Sequence, residues 1–278
     1  MKPIHATITG LHIYPVKSCR GISLATAELT GRGLAHDREW MIVDADGQFL
    51  TQRALPRMAL IETALTSDTL RLSAPGQSDA LELSLAGRDL PLRRVRVWSD
   101  DCAAHDEGSA AAGWLSAFLG KAVRLVRFDP THRRLSSHQW THGVEAENRF
   151  SDGYPLLVIS EESLEDLNSR LDTALPMNRF RPNIVIRGIG PHGEDDANGL
   201  SGDGFEIRLV KPCVRCSITT IEQTTAAVGK EPLRTLATYR RDAALNGVTF
   251  GMNGIVIAHA GTPLAVGLRL TASTAVIS

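Results

Sequence analysis

Short apolar and polar alternations, each cut off by a turn signal within a few residues, constrain this chain more than any other feature. Leu70-Arg71-Leu72 and Leu81-Glu82-Leu83-Ser84-Leu85 lie on either side of a loop containing Pro75-Gly76, and Val95-Arg96-Val97-Trp98 and Leu268-Arg269-Leu270 repeat the pattern. A period of two sends every second side chain to one face, which is the pattern of a half-buried strand. Trp40-Met41-Ile42-Val43 and Gln48-Phe49-Leu50-Thr51 flank Asp44-Ala45-Asp46-Gly47, where Gly47 can take the positive φ of a tight hairpin. Tyr154 to Ile159, Asn183 to Ile186, Phe205 to Val210 and Gly254 to Ile257 read as further strands.

Helices are few. One is predicted from Ser109 as N-cap to Gly120 as stop, with Trp114, Leu115, Phe118 and Leu119 on one face. A second follows Ser160, with Glu161 and Glu162 in its first turn and a stripe of Leu164, Leu167 and Leu171. A third begins near Pro232 as N1 residue and buries Leu233, Leu236 and Tyr239. The expected class is mainly β with some α (α+β), with barrel-like sheets and covering helices. At about 150 residues per domain, 278 residues suggest two units. The division is placed at the end of the first helix, giving 1–122 and 123–278.

Thirty basic against thirty-one acidic residues leave a net charge of −1, which excludes the footprint of a general nucleic-acid binder but permits a local basic pocket. Neither a signal peptide nor an apolar run of membrane-spanning length is present, so no membrane association and a cytoplasmic setting are expected. Four cysteines, at 19, 102, 213 and 216, are too sparse for a disulfide scaffold and fit a reducing compartment.

Lys211-Pro212-Cys213-Val214-Arg215-Cys216 places a lone CxxC after a strand. Structural zinc would need two further ligands, which no second CxxC or nearby HxxxH supplies. A dithiol redox site would start a helix, whereas Cys216 to Ile221 is β-branched and reads as strand. One cysteine could instead give a single thiolate to a soft metal already held by other sulfur ligands, or both could pack as small hydrophobes. Tyr14-Pro15-Val16-Lys17-Ser18-Cys19-Arg20-Gly21 could form an anion pocket, although it lacks the spacing of a phosphate-binding P-loop. Arg38 and Arg181 each stand among aromatic and turn residues, where a guanidinium can fork onto phosphate or pair with a carboxylate such as Asp37.

Taken in order, Tyr14 to Cys19, His36 to Trp40, Asn178 to Asn183, Lys211 to Thr220 and Lys230 to Leu236 resemble the MOSC-domain proteins that carry an N-terminal MOSC β-barrel domain. Within that family the chain is most similar to the bacterial YcbX type and the mitochondrial amidoxime-reducing components, over about residues 8 to 270. The resemblance implies a MOSC-type β-barrel in 123–278, an N-terminal strand-rich domain in 1–122 whose first strands would complete the second barrel, and a molybdenum-molybdopterin cofactor. It makes Cys216 the metal ligand, leaves Cys213 structural, and assigns Lys17, Ser18, Arg38, Arg181 and Asn183 to the cofactor's phosphate, with Ser160 as a further donor. Asp195 is the candidate catalytic acid, although the tryptophan that the family shows shortly after its acidic pair is missing here.

The implied activity is reduction of small N-hydroxylated compounds: hydroxylamines, amidoximes and hydroxylaminopurines. No cysteine follows Cys216, so this stretch cannot ligate the plant-type iron–sulfur cluster of many relatives. Electrons are then expected from a separate ferredoxin, flavodoxin or reductase. Use as a cofactor or sulfur carrier without turnover is the alternative.

Overall fold

The alternating segments form strands, and their hydrogen bonds sort them into one closed barrel and a smaller open sheet. The computed structural model describes residues 4–86, 90–259, 261 and 263–274. Strands predominate over helices, at 41% against 16%. Seven strands make the barrel: β1 (Ile4–Ile13), β2 (Leu156–Ser160), β3 (Ile184–Arg187), β4 (Ala197–Gly202), β5 (Phe205–Val214), β6 (Gly247–His259) and β7 (Arg269–Thr274). Their order around the ring is β1, β7, β4, β5, β6, β2, β3, and the β3–β1 ladder closes it. Closure leaves none of these seven with an unpaired edge.

All ladders are antiparallel except β2 with β3, in which Val158 faces Ile184. A parallel pair needs a crossover, and the helix α1 (Glu161–Asn168) supplies it. Ser160 caps that helix by accepting from the Ser163 N–H, and Leu167 is buried beneath it. At the β2–β6 seam Gly251 holds φ +76°, and a Cβ there would stand 2.6 Å from Ile159 Cγ1 and 2.9 Å from the Val158 carbonyl oxygen. Only glycine allows the two strands to approach so closely. Ile8, Leu11, Ile184, Ile186, Ile207 and Leu270 fill the barrel interior.

The smaller sheet runs Leu92–Val97, Asp100–Asp106, Arg124–Phe128, Trp40–Val43, all antiparallel. A three-stranded meander (Glu62–Leu65, Thr69–Ser73, Leu81–Ser84) and the helix Ser109–Leu119 pack on it, burying Trp40, Met58, Leu70, Leu72, Leu115 and Phe118. Each such side chain contributes about 1.5–3 kcal/mol when fully buried. Two elements cross residue 122: Arg124–Phe128 pairs into the smaller sheet, and β1, from the first half, is a barrel strand.

Four local expectations are corrected. Gln48 to Thr51 makes only isolated bridges, Phe49 to Val43 and Gln48 to Arg96, because the Asp44 carboxylate accepts from the N–H groups of Asp46 and Gln48 and holds the segment in a turn. Gly108, with Ser109 already helical, occupies the cap position of the Ser109–Leu119 helix. Pro232 caps a single turn, Leu233–Leu236, which buries Leu236 and leaves Leu233 and Tyr239 half-buried. Ser217–Thr220 is a 3₁₀ turn with Cys216 at its cap. There the hydroxyls of Thr219 and Thr220 donate to the carbonyls of Cys216 and Ser217, so side-chain back-bonding overrides the β-branched preference for strand.

Candidate active site

Where β1 ends, the chain turns sharply across the mouth of the barrel. The Tyr14 N–H donates to Asp37 Oδ1, the Lys17 N–H donates to the Trp40 carbonyl, and Ser18 adopts φ +67°. This buries Lys17 and Ser18 to 5% exposure on the wall of a cleft of about 780 Å³, including its open mouth. Arg38, Arg181, Asn183, Cys213 and Cys216 line the same cleft. Four segments far apart in sequence therefore meet at one place.

The cations in this wall differ in how they are neutralised. Lys17 Nζ donates to Asp152 Oδ1 at 2.6 Å and to the Phe150 carbonyl at 2.7 Å. Burial pulls the Lys17 ammonium below its usual range, while Asp152 acts in the other direction. The Asp152 side chain is 58% exposed, so desolvation opposes its ionisation only weakly, and the Lys17 charge and hydrogen bond hold the carboxyl well below the ordinary carboxylate range. Arg38 Nη1 donates to both Asp37 oxygens, at 2.7 and 2.6 Å, and to Asn183 Oδ1 at 3.0 Å. Asn183 also accepts from the Leu157 N–H and donates to the His12 carbonyl, so its amide is committed to the scaffold.

Arg181 is different. It is 9% exposed at φ +57°, and its guanidinium makes no hydrogen bond or ion pair among the described residues. Its support is the Tyr14 ring, whose centroid lies 4.1 Å from Cζ; Arg38 Cζ lies 4.3 Å from the same ring. Burial, with Arg38 adding repulsion, pulls the Arg181 pKa down to about 10. Desolvation pushes the Tyr14 phenol up to about 12, and its hydroxyl donates to the Pro182 carbonyl, which ties the two loops together. A buried guanidinium without a carboxylate is costly unless an anion joins it.

Near its end β5 brings Cys213 into the same lining, and the turn that follows brings Cys216; both are part-exposed and free. Arg215 Nη1 donates to Cys213 Sγ at 2.9 Å and Nη2 to the Phe180 carbonyl at 2.6 Å, while its Nε is buried without a partner. Arg53 Nη1 lies 3.6 Å from Cys216 Sγ. Burial raises the thiols of Cys19 and Cys102 to about 12 and about 11, which makes them inert packing residues. Arg179 fixes the turn after Cys216 by donating to the carbonyls of Thr219 and Glu231. The buried amides of Gln52 and Gln223 donate to one another, and Gln52 also donates to the Ser18 carbonyl, so the loop after Cys216 is clamped to the Ser18 segment.

Two of the expected site residues lie elsewhere. Ser160 is fully buried at the start of α1, where its hydroxyl caps the helix and meets Ser163 Oγ at 2.6 Å. Asp195 pairs with Arg240 at 2.5 Å and, like Ser160, is not part of the cleft wall. The helix cap consumes the Ser160 hydroxyl, and the Arg240 guanidinium claims the Asp195 carboxylate. Arg53, Asp152 and Arg215 were missed by sequence reasoning. Arg215 stands inside the CxxC and could have been found there, but nothing near Arg53 or Asp152 in sequence signals a site.

Residues 5–122 match the MOSC N-terminal beta barrel domain, and residues 145–270 match the MOSC domain. The chain is 40% identical over 242 residues to mitochondrial amidoxime-reducing component 1 of Mus musculus, covering 84% of this chain and 71% of that protein. Its identity to the Homo sapiens protein of the same name is 37%, with 84% and 72% covered. To mitochondrial amidoxime reducing component 2 of Bos taurus it is 34%, with the same coverage. Among the described residues no helix is long and apolar enough to cross a membrane. On the two domain matches and these relatives, the chain belongs to the family of MOSC-domain proteins with an N-terminal MOSC β-barrel domain.

Proposed function

We propose that this protein is a molybdenum cofactor-dependent reductase of N-hydroxylated compounds. The observation that carries the reading is the single cleft joining the Cys216 sulfur to Lys17, Arg38 and the unpaired Arg181. These residues suit a pterin cofactor in charge and donor type: a soft sulfur for the metal, and cations with an unmet need for an anion opposite the phosphate. The relatives' names, which state amidoxime reduction, point the same way.

In this reading Cys216 holds the metal, Lys17, Ser18 and Arg181 bind the phosphate, and Asn183 acts through Arg38. The bound cofactor supplies the two-electron chemistry at N–O. The overall change is R–NHOH + 2 e⁻ + 2 H⁺ → R–NH₂ + H₂O, the electrons coming from a separate donor protein in a cytoplasmic setting. Arg53 positions the Cys216 sulfur, and the Gln52–Gln223 clamp holds that loop to the Ser18 segment. Asp152, held as carboxylate by Lys17, accepts hydrogen bonds at neutral pH and does not serve as an acid.

The test is the molybdenum-to-protein ratio after expression in a molybdate-supplied host, together with reduction of an N-hydroxylated base by a chemical electron donor. Near-stoichiometric metal with turnover upholds the reading. Metal without turnover favours a cofactor or sulfur carrier, and no metal with pterin available overturns both.

A further inference from the structure

Trp98 is left out of every core, with 48% of its surface exposed. It stands in the turn between Leu92–Val97 and Asp100–Asp106 at φ +57°, a conformation that glycine or asparagine adopts readily and a bulky side chain adopts under strain. Strain of this kind persists where the surroundings over-determine it. Trp98 and Arg53 stand just outside the cleft's lining, and each contacts a residue that lines it, Asp152 and Cys216 respectively. The indole Nε1–H donates to Asp152 Oδ1 at 3.2 Å, the same oxygen that receives Lys17. Arg53 Cζ lies 4.6 Å from the ring centroid, and its Nη1 continues to Cys216 Sγ. Phe49 supports the indole from the side, with centroids 5.1 Å apart and planes at 59°. Asp152, Trp98, Arg53 and Cys216 thus form a connected path from the cation cluster to the thiol.

We propose that Trp98, braced by Arg53 and Asp152, is a stacking wall that selects planar aromatic N-hydroxylated substrates over aliphatic ones. The proposal rests on the reductase reading and adds the substrate class and the residue that sets it. A half-exposed indole offers a flat apolar surface to an aromatic ring, and the Arg53 guanidinium stacked over one face of it braces the ring and is itself a planar cation on which an aromatic ring can stack. An alkyl substrate gains little from either. The wall reaches Cys216 through Arg53, so a ring stacked there would direct its N–OH group toward the sulfur side of the cleft.

The experiment compares benzamidoxime with acetamidoxime on the loaded enzyme and on Trp98→Ala and Trp98→Phe. The expected result is that the aryl-to-alkyl ratio of kcat/KM falls about 3–10-fold in Trp98→Ala, mainly through KM, and returns in Trp98→Phe. The ratio does not depend on the fraction of active protein, so poor folding cannot imitate the effect. Trp98→Phe keeps the ring and loses the bond to Asp152, which separates stacking from positioning. An unchanged ratio in Trp98→Ala overturns the proposal. Titration of the wild type with benzamidine, followed by tryptophan fluorescence, gives a readout free of turnover. Saturable quenching that Trp98→Phe abolishes supports the wall even if no N-hydroxylated compound is reduced, and absence of quenching overturns it even if one is.

Discussion

The Arg181 guanidinium lies 4.1 Å from the centre of the Tyr14 ring and has no carboxylate bonded to it among the described residues, although only 9% of the residue is exposed. A cation on an aromatic face gains about 0.5–2 kcal/mol, less than its desolvation costs. The pair therefore stores an unmet demand for an anion, and that demand is measurable.

Inorganic phosphate is expected to raise the Tm of the wild type by about 2–4 °C for each kcal/mol of binding. Arg181→Lys, which keeps the charge and loses the fork, is expected to retain less than about half of that gain, and Arg181→Ala none. An equal gain in all three would show that Arg181 only packs on Tyr14.

Cys216→Ala is expected to abolish metal retention and activity, whereas Cys213→Ala keeps the metal and loses about 1–2 kcal/mol of stability. Cys213 packs beside the Phe180–Phe250 cluster, while Cys216 faces Arg53. Metal analysis with urea unfolding checks both. Equal loss of metal in the two variants would sink the assignment of the ligand.

Glu194 is fully buried, and burial raises its pKa against the hydrogen bonds it accepts from Ser160 and Ser163. A raised folded pKa means that its favourable contribution is complete below the unfolded value, about 4.3, and is lost as pH climbs through the folded value. Glu194→Gln is neutral at every pH. Its Tm is expected to exceed the wild type's at about pH 8, with the difference shrinking toward about pH 4. A difference independent of pH would mean that packing, and not ionisation, separates the two.

Gln223→Ala removes one half of the buried clamp and leaves the Gln52 carbonyl oxygen without its donor. A cost of about 1–3 kcal/mol is expected in urea unfolding. The same variant frees the Cys216 loop from the Ser18 side, so metal retention is expected to fall severalfold although no ligand is touched. Full retention would show that the walls are held by other contacts.

Much of the strand content was legible because burial on one face writes itself into a period of two. Leu70 and Leu72 are completely buried, and Arg71 between them is exposed. The helix stop at Gly120 was legible for a local reason as well, since glycine there takes φ +68° at no steric cost. The turn after Cys216 was not legible. Its β-branched residues favour strand, and two threonine back-bonds together with Arg179, brought from 40 residues away, decide otherwise.

The site divides in the same way. Lys17, Ser18, Arg38, Arg181 and Cys216 were marked by motifs in the sequence, and they line one cleft. Ser160 and Asp195 stood in suitable stretches, yet a helix cap and the Arg240 ion pair absorb them. Arg53, Asp152 and Trp98 carried no local signal, because their roles exist only through partners distant in the chain: Arg53 meets Cys216 across 163 positions, and Asp152 meets Lys17 across 135. By itself the sequence determined which residue types were available and where strands could start and stop, since both follow from neighbours within a few positions. Which cation lacks a counter-charge, and which aromatic ring stands beside the sulfur, was decided by tertiary structure alone, because desolvation and close approach are set by what the closed barrel brings together.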